Sequence, residues 1–169
     1  MDLLLIRHGE ALPVGRDGIA SDYDRVLSNI GKRKSTAAGE ALTRLGVHLD
    51  AILFSPLPRA EQTVGALVER FEGHPACRAC PEMAPGANWD TLVKELRRNS
   101  ELSAIALVGH EPDLSGMAAR VLGGDDLPRL IFHTGSIACI HLELKSDPPD
   151  ASLRWFLDSA QLEWIARGQ

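Results

Sequence analysis

The stretch "AIALVGHEPDLSGMAARVLGG", residues 104–124, contains both of the patterns from which the chain is built. Its first six residues are apolar without interruption, which is typical of a strand buried on both faces of a sheet. After His110 and Glu111, apolar residues recur at helical spacing, and Gly123-Gly124 is a typical helix end. The stretch therefore predicts a strand, a short polar loop and a helix. The helical residues are Leu114, Met117, Ala118, Val121 and Leu122.

The same succession of patterns extends in both directions along the chain. Apolar or alternating runs predict further strands over residues 3–6, 51–55, 136–144 and 152–157, with another strand expected before Glu82 and a turn at 146–152. Helices are predicted from about residue 30 to 45, behind Pro56 and Pro58 as far as Phe71, and from 89 to 96. Ser28 and Asn88 are the predicted N-caps.

Buried strands separated by amphipathic helices favour a mostly parallel sheet that helices cover on both faces. The alternating pattern near the C-terminus adds an antiparallel edge. The predicted fold is a three-layer α/β/α sandwich, formed as a single domain by residues 1–169.

Composition limits the classes of function. A formal net charge of −5 argues against broad binding to nucleic acid or acidic membranes, although it allows a small basic pocket. The apolar run at 3–6 is too short for a secretory signal or a membrane helix, so a cytoplasmic location is expected. Cys77, Cys80 and Cys139 are an odd count, which fits a reducing compartment. Cys77 and Cys80 form a CxxC without a second pair, so metal binding is not expected.

Basic side chains follow three of the predicted strands. Arg7 and His8 follow the first strand, Arg59 lies in the first turn after the second, and His110 follows residues 104–109. Ligands of open α/β sheets bind at the carboxyl ends of the strands. A cation such as Arg59 opposes the dipole at the start of a helix unless an anion sits between them. The pattern predicts a small basic pocket for a tetrahedral anion.

Three segments carry a resemblance to a known family. "LIRHGEA" (5–11), "SPLPRAEQT" (55–63) and "LVGHEPDLS" (107–115) resemble, in order, the signature segments of the histidine phosphatase superfamily, the phosphoglycerate mutase-like group. "RVLSNIGKRKS" (25–35), "PEMAPGAN" (81–88) and "HTGSIACIHLEL" (133–144) are similar to its shortest branch, the bacterial phosphohistidine phosphatases of the SixA type.

The resemblance implies a role for each of four residues. His8 would be the nucleophile that becomes a transient phosphohistidine, and Arg7, Arg59 and His110 would hold the non-bridging phosphate oxygens. Spacing alone does not separate His8 from His110 as the nucleophile. The resemblance implies neither a metal ion nor an organic cofactor.

Other site residues are less sharply indicated. Arg25 is either a secondary phosphate or substrate contact or a surface arginine. Ser55 and Ser136 either line the pocket or serve as cap or turn residues. For the leaving-group acid, Glu82 is preferred over Glu111 and Glu10, and a substrate with a good leaving group would need none.

Three functions are compatible with these residues. The leading one is removal of phosphate from a phosphohistidine of a partner protein, such as a phosphotransfer domain. The same four residues would serve a phosphatase of a small phosphoester metabolite, and the depth of the pocket decides between them. The third is a non-catalytic phosphate-binding module. Neither a nucleic acid nor a membrane is expected as a partner.

Overall fold

A computed structural model describes residues 1–123, 130–146 and 149–168 of the chain. Its strands are β1 (Asp2–Arg7), β2 (Ala51–Phe54), β3 (Ala76–Ala79), β4 (Ala104–Gly109), β5 (Ile137–Glu143) and β6 (Asp150–Leu157). In this part of the chain they form one sheet in the order β3-β2-β4-β1-β5-β6. The first four strands are mutually parallel, whereas β5 is antiparallel to β1 and to β6. The predicted mostly parallel sheet with an antiparallel edge is confirmed.

Helices cover both faces of this sheet. They are α1 (Asn29–Arg44), α2 (Pro58–Val68), α3 (Trp89–Arg98), α4 (Asp113–Leu122) and α5 (Ser159–Ala166). Alternate β1 side chains enter opposite cores, with Leu3 and Leu5 facing α3 and α4, and Leu4 and Ile6 facing α1, α2 and α5. The three layers predicted from the sequence are therefore present, and β1 is buried between two apolar cores that hold its carboxyl end in place.

Local signals set most helix ends as predicted. The Ser28 hydroxyl accepts from the Gly31 N–H at 3.0 Å, and Asn88 caps α3 through the Asp90 N–H at 2.9 Å. The prediction that the second helix extends to Phe71 is wrong, because α2 ends at Val68. Phe71 reaches the same core from the following loop, so its apolar character reflects burial without helical structure.

The C-terminal helix α5 was not predicted. The apolar residues of α5 do not mark a single buried face, because Leu162 is fully buried while Trp164 is 57% exposed. The signal that the sequence does carry is a capping box, in which the Asp158 carboxylate accepts from the Gln161 N–H and the Gln161 side chain accepts from the Asp158 N–H.

Parts of two predicted features, Gly124 at a helix end and residues 147–148 of the 146–152 turn, lie outside the described residues. None of the helices in the described ranges combines the length and apolar composition that crossing a membrane requires.

Candidate active site

His8 follows β1 directly and is 6% exposed. Its Nδ1 lies 2.7 Å from the Gly9 carbonyl oxygen. Because a carbonyl only accepts, Nδ1 carries the ring proton and Nε2 holds the lone pair, which accepts from Arg59 Nε at 3.2 Å. The pKa of His8 is lowered to about 3, chiefly because the ring is buried. The hydrogen bond to Gly9 raises this pKa, whereas electrostatic interactions with His110, Arg59 and Arg7 lower it further. His8 is therefore a neutral imidazole at pH 7, with Nε2 as its nucleophilic atom.

Helix α2 holds both His8 and Arg59 through a threonine. The Gly9 N–H donates to Thr63 Oγ1 at 2.9 Å, and that hydroxyl donates to the Arg59 carbonyl at 2.7 Å. Glycine suits the position after His8, since a Cβ there would lie 2.8 Å from Ser35 Oγ and 3.1 Å from the Gly31 carbonyl oxygen, and one of these groups would have to shift. Sequence reasoning missed Thr63, although its position four residues after Arg59 on one helix face was an available signal.

Arg7 is oriented from the opposite side of the site. Its Nη1 donates to the Phe132 carbonyl at 2.6 Å. The Phe132 N–H donates to a Glu111 carboxylate oxygen at 2.9 Å, and Ser115 Oγ donates to the same oxygen at 2.6 Å. The backbone of Phe132 therefore links Glu111 to Arg7. Desolvation on burial lowers the pKa of Arg7, partly offset by the charge of Glu111.

His110 follows β4 and is 3% exposed. Its Nε2 lies 2.7 Å from Ser55 Oγ, which also accepts the Leu57 N–H at 3.3 Å. With one lone pair of Ser55 occupied in this way, its hydroxyl can donate to Nε2 and place the His110 ring proton on Nδ1. Burial lowers the pKa of His110 to about 4, and the charge of Arg59 adds to the shift. Ser55 therefore makes both a turn contact, with Leu57, and a contact with His110, so its position fits both of the alternatives that the sequence leaves open.

Buried polar atoms without a partner collect at this edge of the sheet. Among the described side chains they are Arg7 Nε, His110 Nδ1 and Ser136 Oγ. Ser136 is adjacent to Arg7, because its carbonyl accepts the Arg7 N–H at 3.1 Å. The rings of His8 and His110 are 5.0 Å apart between centroids. A protein seldom buries such groups without partners, and their clustering around His8 suits the oxygens of a tetrahedral anion.

The segment before α1 brings Arg25 to the rim of the site. Arg25 Nε donates to the Leu12 carbonyl at 2.7 Å, and its Nη1 pairs with Asp22 Oδ1 at 3.0 Å. The other oxygen of Asp22 pairs with Arg59 Nη2 at 3.0 Å. Asp22 was missed, and its exposed position in a polar loop gives no sequence signal.

The three candidate acids occupy different surroundings. Glu82 lies on the 3₁₀ turn Pro81–Met83, where its own backbone N–H and the Cys80 thiol, at 3.2 Å, lower its pKa. Glu10 accepts from Ser28 Oγ at 2.7 Å at the start of α1. Glu111 accepts from Ser115 and Phe132.

The CxxC residues lie at the sheet edge. Cys77 is exposed on β3, and Cys80 is buried just after it. Within residues 1–123, 130–146 and 149–168, no group of three or more His, Cys, Asp or Glu side chains is placed to hold a metal ion.

Comparisons with known proteins agree with this geometry. The sequence model of the Histidine phosphatase superfamily (branch 1) matches residues 3–84. An uncharacterized protein of Picosynechococcus sp. is 34% identical over 127 residues, which cover 73% of this chain and 74% of that protein. The chain belongs to the histidine phosphatase superfamily. This membership confirms the family predicted from the three segments and makes the chain a phosphatase by class.

Within the superfamily, the chain is similar to SixA. Phosphohistidine phosphatase SixA of Escherichia coli is 24% identical over 165 residues, covering 96% of this chain and 97% of SixA. The structure of the protein histidine phosphatase SixA complexed with tungstate superposes with a TM-score of 0.83, covering 96% of this chain and 99% of that one. The phosphoglycerate mutase-like, SixA-type fold is confirmed.

A metabolite phosphatase shares the fold less closely. The complex of mycobacterial glucosyl-3-phosphoglycerate phosphatase with inorganic phosphate has a TM-score of 0.69 at 20% identity, covering 94% of this chain and 98% of that one. The fold alone therefore does not select a substrate.

Proposed function

We propose that this chain hydrolyses the phosphohistidine of a partner protein, such as a phosphotransfer domain, with His8 as the nucleophile. The observation that carries the proposal is the orientation of the His8 ring. Gly9 fixes the proton on Nδ1, and Nε2 is left with its lone pair beside Arg59. A neutral imidazole held in this way needs no separate base before it attacks phosphorus.

The reaction has two balanced steps. In the first, a bond forms between His8 Nε2 and phosphorus while the phosphorus–nitrogen bond of the substrate breaks, and the departing imidazole takes a proton from solvent. In the second, the oxygen of a water molecule bonds to phosphorus and the bond to His8 breaks. One proton of the water passes to solvent, and the other stays on the orthophosphate. Arg7, Arg59 and His110 stabilise the charge that spreads over the phosphoryl oxygens in both steps.

The surroundings of the carboxylates favour a phosphohistidine substrate. Each of the candidate acids accepts hydrogen bonds from neighbouring groups: Glu82 from Cys80, Glu10 from Ser28, and Glu111 from Ser115 and Phe132. The contacts of Glu82 with its own backbone N–H and with the Cys80 thiol lower the pKa of its carboxyl group, so Glu82 is ionised at neutral pH and cannot donate a proton. A phosphohistidine ring has a second nitrogen that solvent can protonate near neutral pH, since imidazole has a pKa of about 6.5, and the ring then leaves as a neutral imidazole without an acid from the protein. We therefore do not assign Glu82 the role of an essential general acid.

A small phosphoester metabolite is the second candidate substrate. Glucosyl-3-phosphoglycerate phosphatase, which shares the fold, supports it. The likeness to SixA over nearly the whole chain supports the protein-borne phosphohistidine more strongly. A non-catalytic phosphate-binding module would not require Nε2 to be the unprotonated ring nitrogen of His8.

Phosphate release from a phosphohistidine-bearing phosphotransfer domain tests the proposal. Phosphoimidazole and p-nitrophenyl phosphate serve as small phosphoramidate and phosphoester substrates. Native protein and the His8→Ala variant are compared on all three. Loss of a nucleophile typically costs on the order of 10⁶ in kcat, so the variant is expected to be inactive. Native protein given radiolabelled phosphoimidazole should carry an acid-labile, base-stable label that the variant lacks.

Each pattern of activity has a definite meaning. Release from the phosphotransfer domain by native protein alone supports the proposal. Turnover of p-nitrophenyl phosphate without either phosphoramidate would favour the metabolite phosphatase. Inactivity of the native protein on all three substrates would leave the phosphate-binding module, and an active His8→Ala variant would overturn the nucleophile.

A further inference from the structure

Asp22 joins two arginines at the rim of the site. Its Oδ1 lies 3.0 Å from Arg25 Nη1 and its Oδ2 lies 3.0 Å from Arg59 Nη2. The Asp22 carbonyl oxygen also accepts from Arg59 Nη1 at 2.5 Å. The same guanidinium donates through Nε to His8. One arginine therefore bridges the nucleophile and a carboxylate that neither the sequence nor the proposed mechanism assigns.

Asp22 presents to Arg59 the kind of group that a phosphoryl oxygen presents. Both are anionic oxygens that accept from a guanidinium, and Arg59 uses three of its N–H donors on Asp22 and His8. The hydrogen bond from Arg25 lowers the pKa of Asp22, and the charge of Arg59 lowers it further, so the carboxyl group is ionised at neutral pH. A phosphoryl group that takes the same donors must compete with this charge.

The segment that carries Asp22 lies on the surface of the protein. The Asp22 side chain is 57% exposed, whereas that of Arg59 is 4% exposed. The 3₁₀ turn Asp22–Asp24 contributes no buried residue to the core. Because the Asp22 carboxylate remains in contact with solvent, a phosphoryl group can displace it from Arg59 without moving a core side chain.

We propose that Asp22 is an internal competitor of the phosphoryl group: its carboxylate holds Arg59 and Arg25 until phosphate replaces it, and its charge weakens the binding of free orthophosphate. The inference rests on the proposed function, because it assumes that phosphate binds beside His8. Orthophosphate is the product of both reaction steps taken together, so Asp22 limits product inhibition and speeds product release.

Direct binding of orthophosphate and of tungstate, measured by calorimetry at constant ionic strength, tests this inference. Native protein is compared with Asp22→Asn, Asp22→Ala and the matched control Asp24→Asn. Asp24 carries the same charge on the same turn but pairs with Ser21 Oγ at 2.6 Å. Removing the charge of Asp22 is expected to lower the Kd of orthophosphate about tenfold. Removing the charge of Asp24 is expected to change this Kd by less than about twofold.

The possible results separate this inference from the function on which it rests. Tighter binding in both Asp22 variants, with Asp24→Asn close to native, supports it. Weaker binding in the Asp22 variants would show that Asp22 positions Arg59, and unchanged binding in those variants would also overturn the inference. Asp24→Asn that binds as tightly as the Asp22 variants would overturn it too, because the effect would then be one of net charge. Native protein that binds neither anion and releases no phosphate would overturn the proposed function as well.

Discussion

The two ends of the central strands treat their polar groups in opposite ways. At the amino end, Asp50 accepts the N–H groups of Ser103 and Ala104 at 2.7 and 3.0 Å, and Asp2 pairs with Arg154 and His141 at 3.3 and 2.8 Å. Charges of opposite sign lie side by side there. At the carboxyl end, Arg7, Arg59 and two histidines are packed together, and polar atoms are buried without partners.

This contrast shows which end of the sheet is built for a ligand. At the amino end, each carboxylate oxygen of Asp2 and Asp50 meets a donor within the protein. The carboxyl end keeps donors and an excess of cationic side chains around His8, at an expense in stability that a folded protein rarely accepts without a function. Asp22 alone brings a negative charge into contact with Arg59 there, within the described part of the chain.

Replacing one arginine at each end of the sheet should give the largest difference in activity between the two ends. We expect Arg59→Ala to lower kcat/KM for phosphoimidazole by about 10²–10³, as the loss of a charge-stabilising donor does in other enzymes. Arg154→Ala removes the same charge at the amino end and should leave kcat/KM within about twofold of native, because exposed ion pairs contribute little. Steady-state kinetics on the two variants measure this, and equal losses would contradict the contrast between the ends.

The buried histidines predict a pH dependence of folding. An unfolded histidine binds a proton below a pKa of about 6.5, whereas His8 and His110 in the folded chain do so only near about 3 and about 4. The unfolded state therefore binds more protons as the pH falls, and the free energy of unfolding should decrease from about pH 6.5 downward. Each histidine accounts for about 2 kcal/mol of loss at pH 5.0 relative to pH 7.5.

Denaturant unfolding of native protein and His8→Asn at these two pH values measures the effect. The variant lacks the titrating group, so its loss between pH 7.5 and 5.0 should be smaller than that of native protein by about 2 kcal/mol. An identical loss in both proteins would show that His8 is protonated in the folded state at pH 5.0.

The predictable part of the site is the part set by local sequence. His8, Arg59 and His110 each lie within a few residues of a buried strand, and their convergence follows from the parallel sheet alone. Asp22 and Phe132 belong to loops whose course depends on tertiary packing. Asp22 is separated from Arg59 by 37 positions and Phe132 from Arg7 by 125, and no periodic pattern connects either pair.

The same distinction explains the errors in the fold. Core strands and the stripes of α1 and α4 were evident because burial imposes a period on apolar residues. Helix α5 has one buried face residue, Leu162, and an exposed Trp164, so its period is weak. Phe71 shows the converse error, since an apolar residue in phase with a helix packs from the loop beyond its end.

The smallest effects that we predict are changes in stability on substituting Ser136, at the carboxyl end of the central strands, and Asp50, at their amino end. The Ser136 hydroxyl is fully buried without a partner among the described residues, so Ser136→Ala should raise the free energy of unfolding, by up to about 1 kcal/mol. Asp50→Ala leaves two backbone N–H groups without their charged acceptor and should lower it by about 1–2 kcal/mol. We expect the two changes in the free energy of unfolding to have opposite signs when denaturant unfolding is measured at pH 7.5. If Ser136→Ala destabilises the protein as Asp50→Ala does, its hydroxyl has a structural partner, and the carboxyl end is less dedicated to a ligand than its geometry indicates.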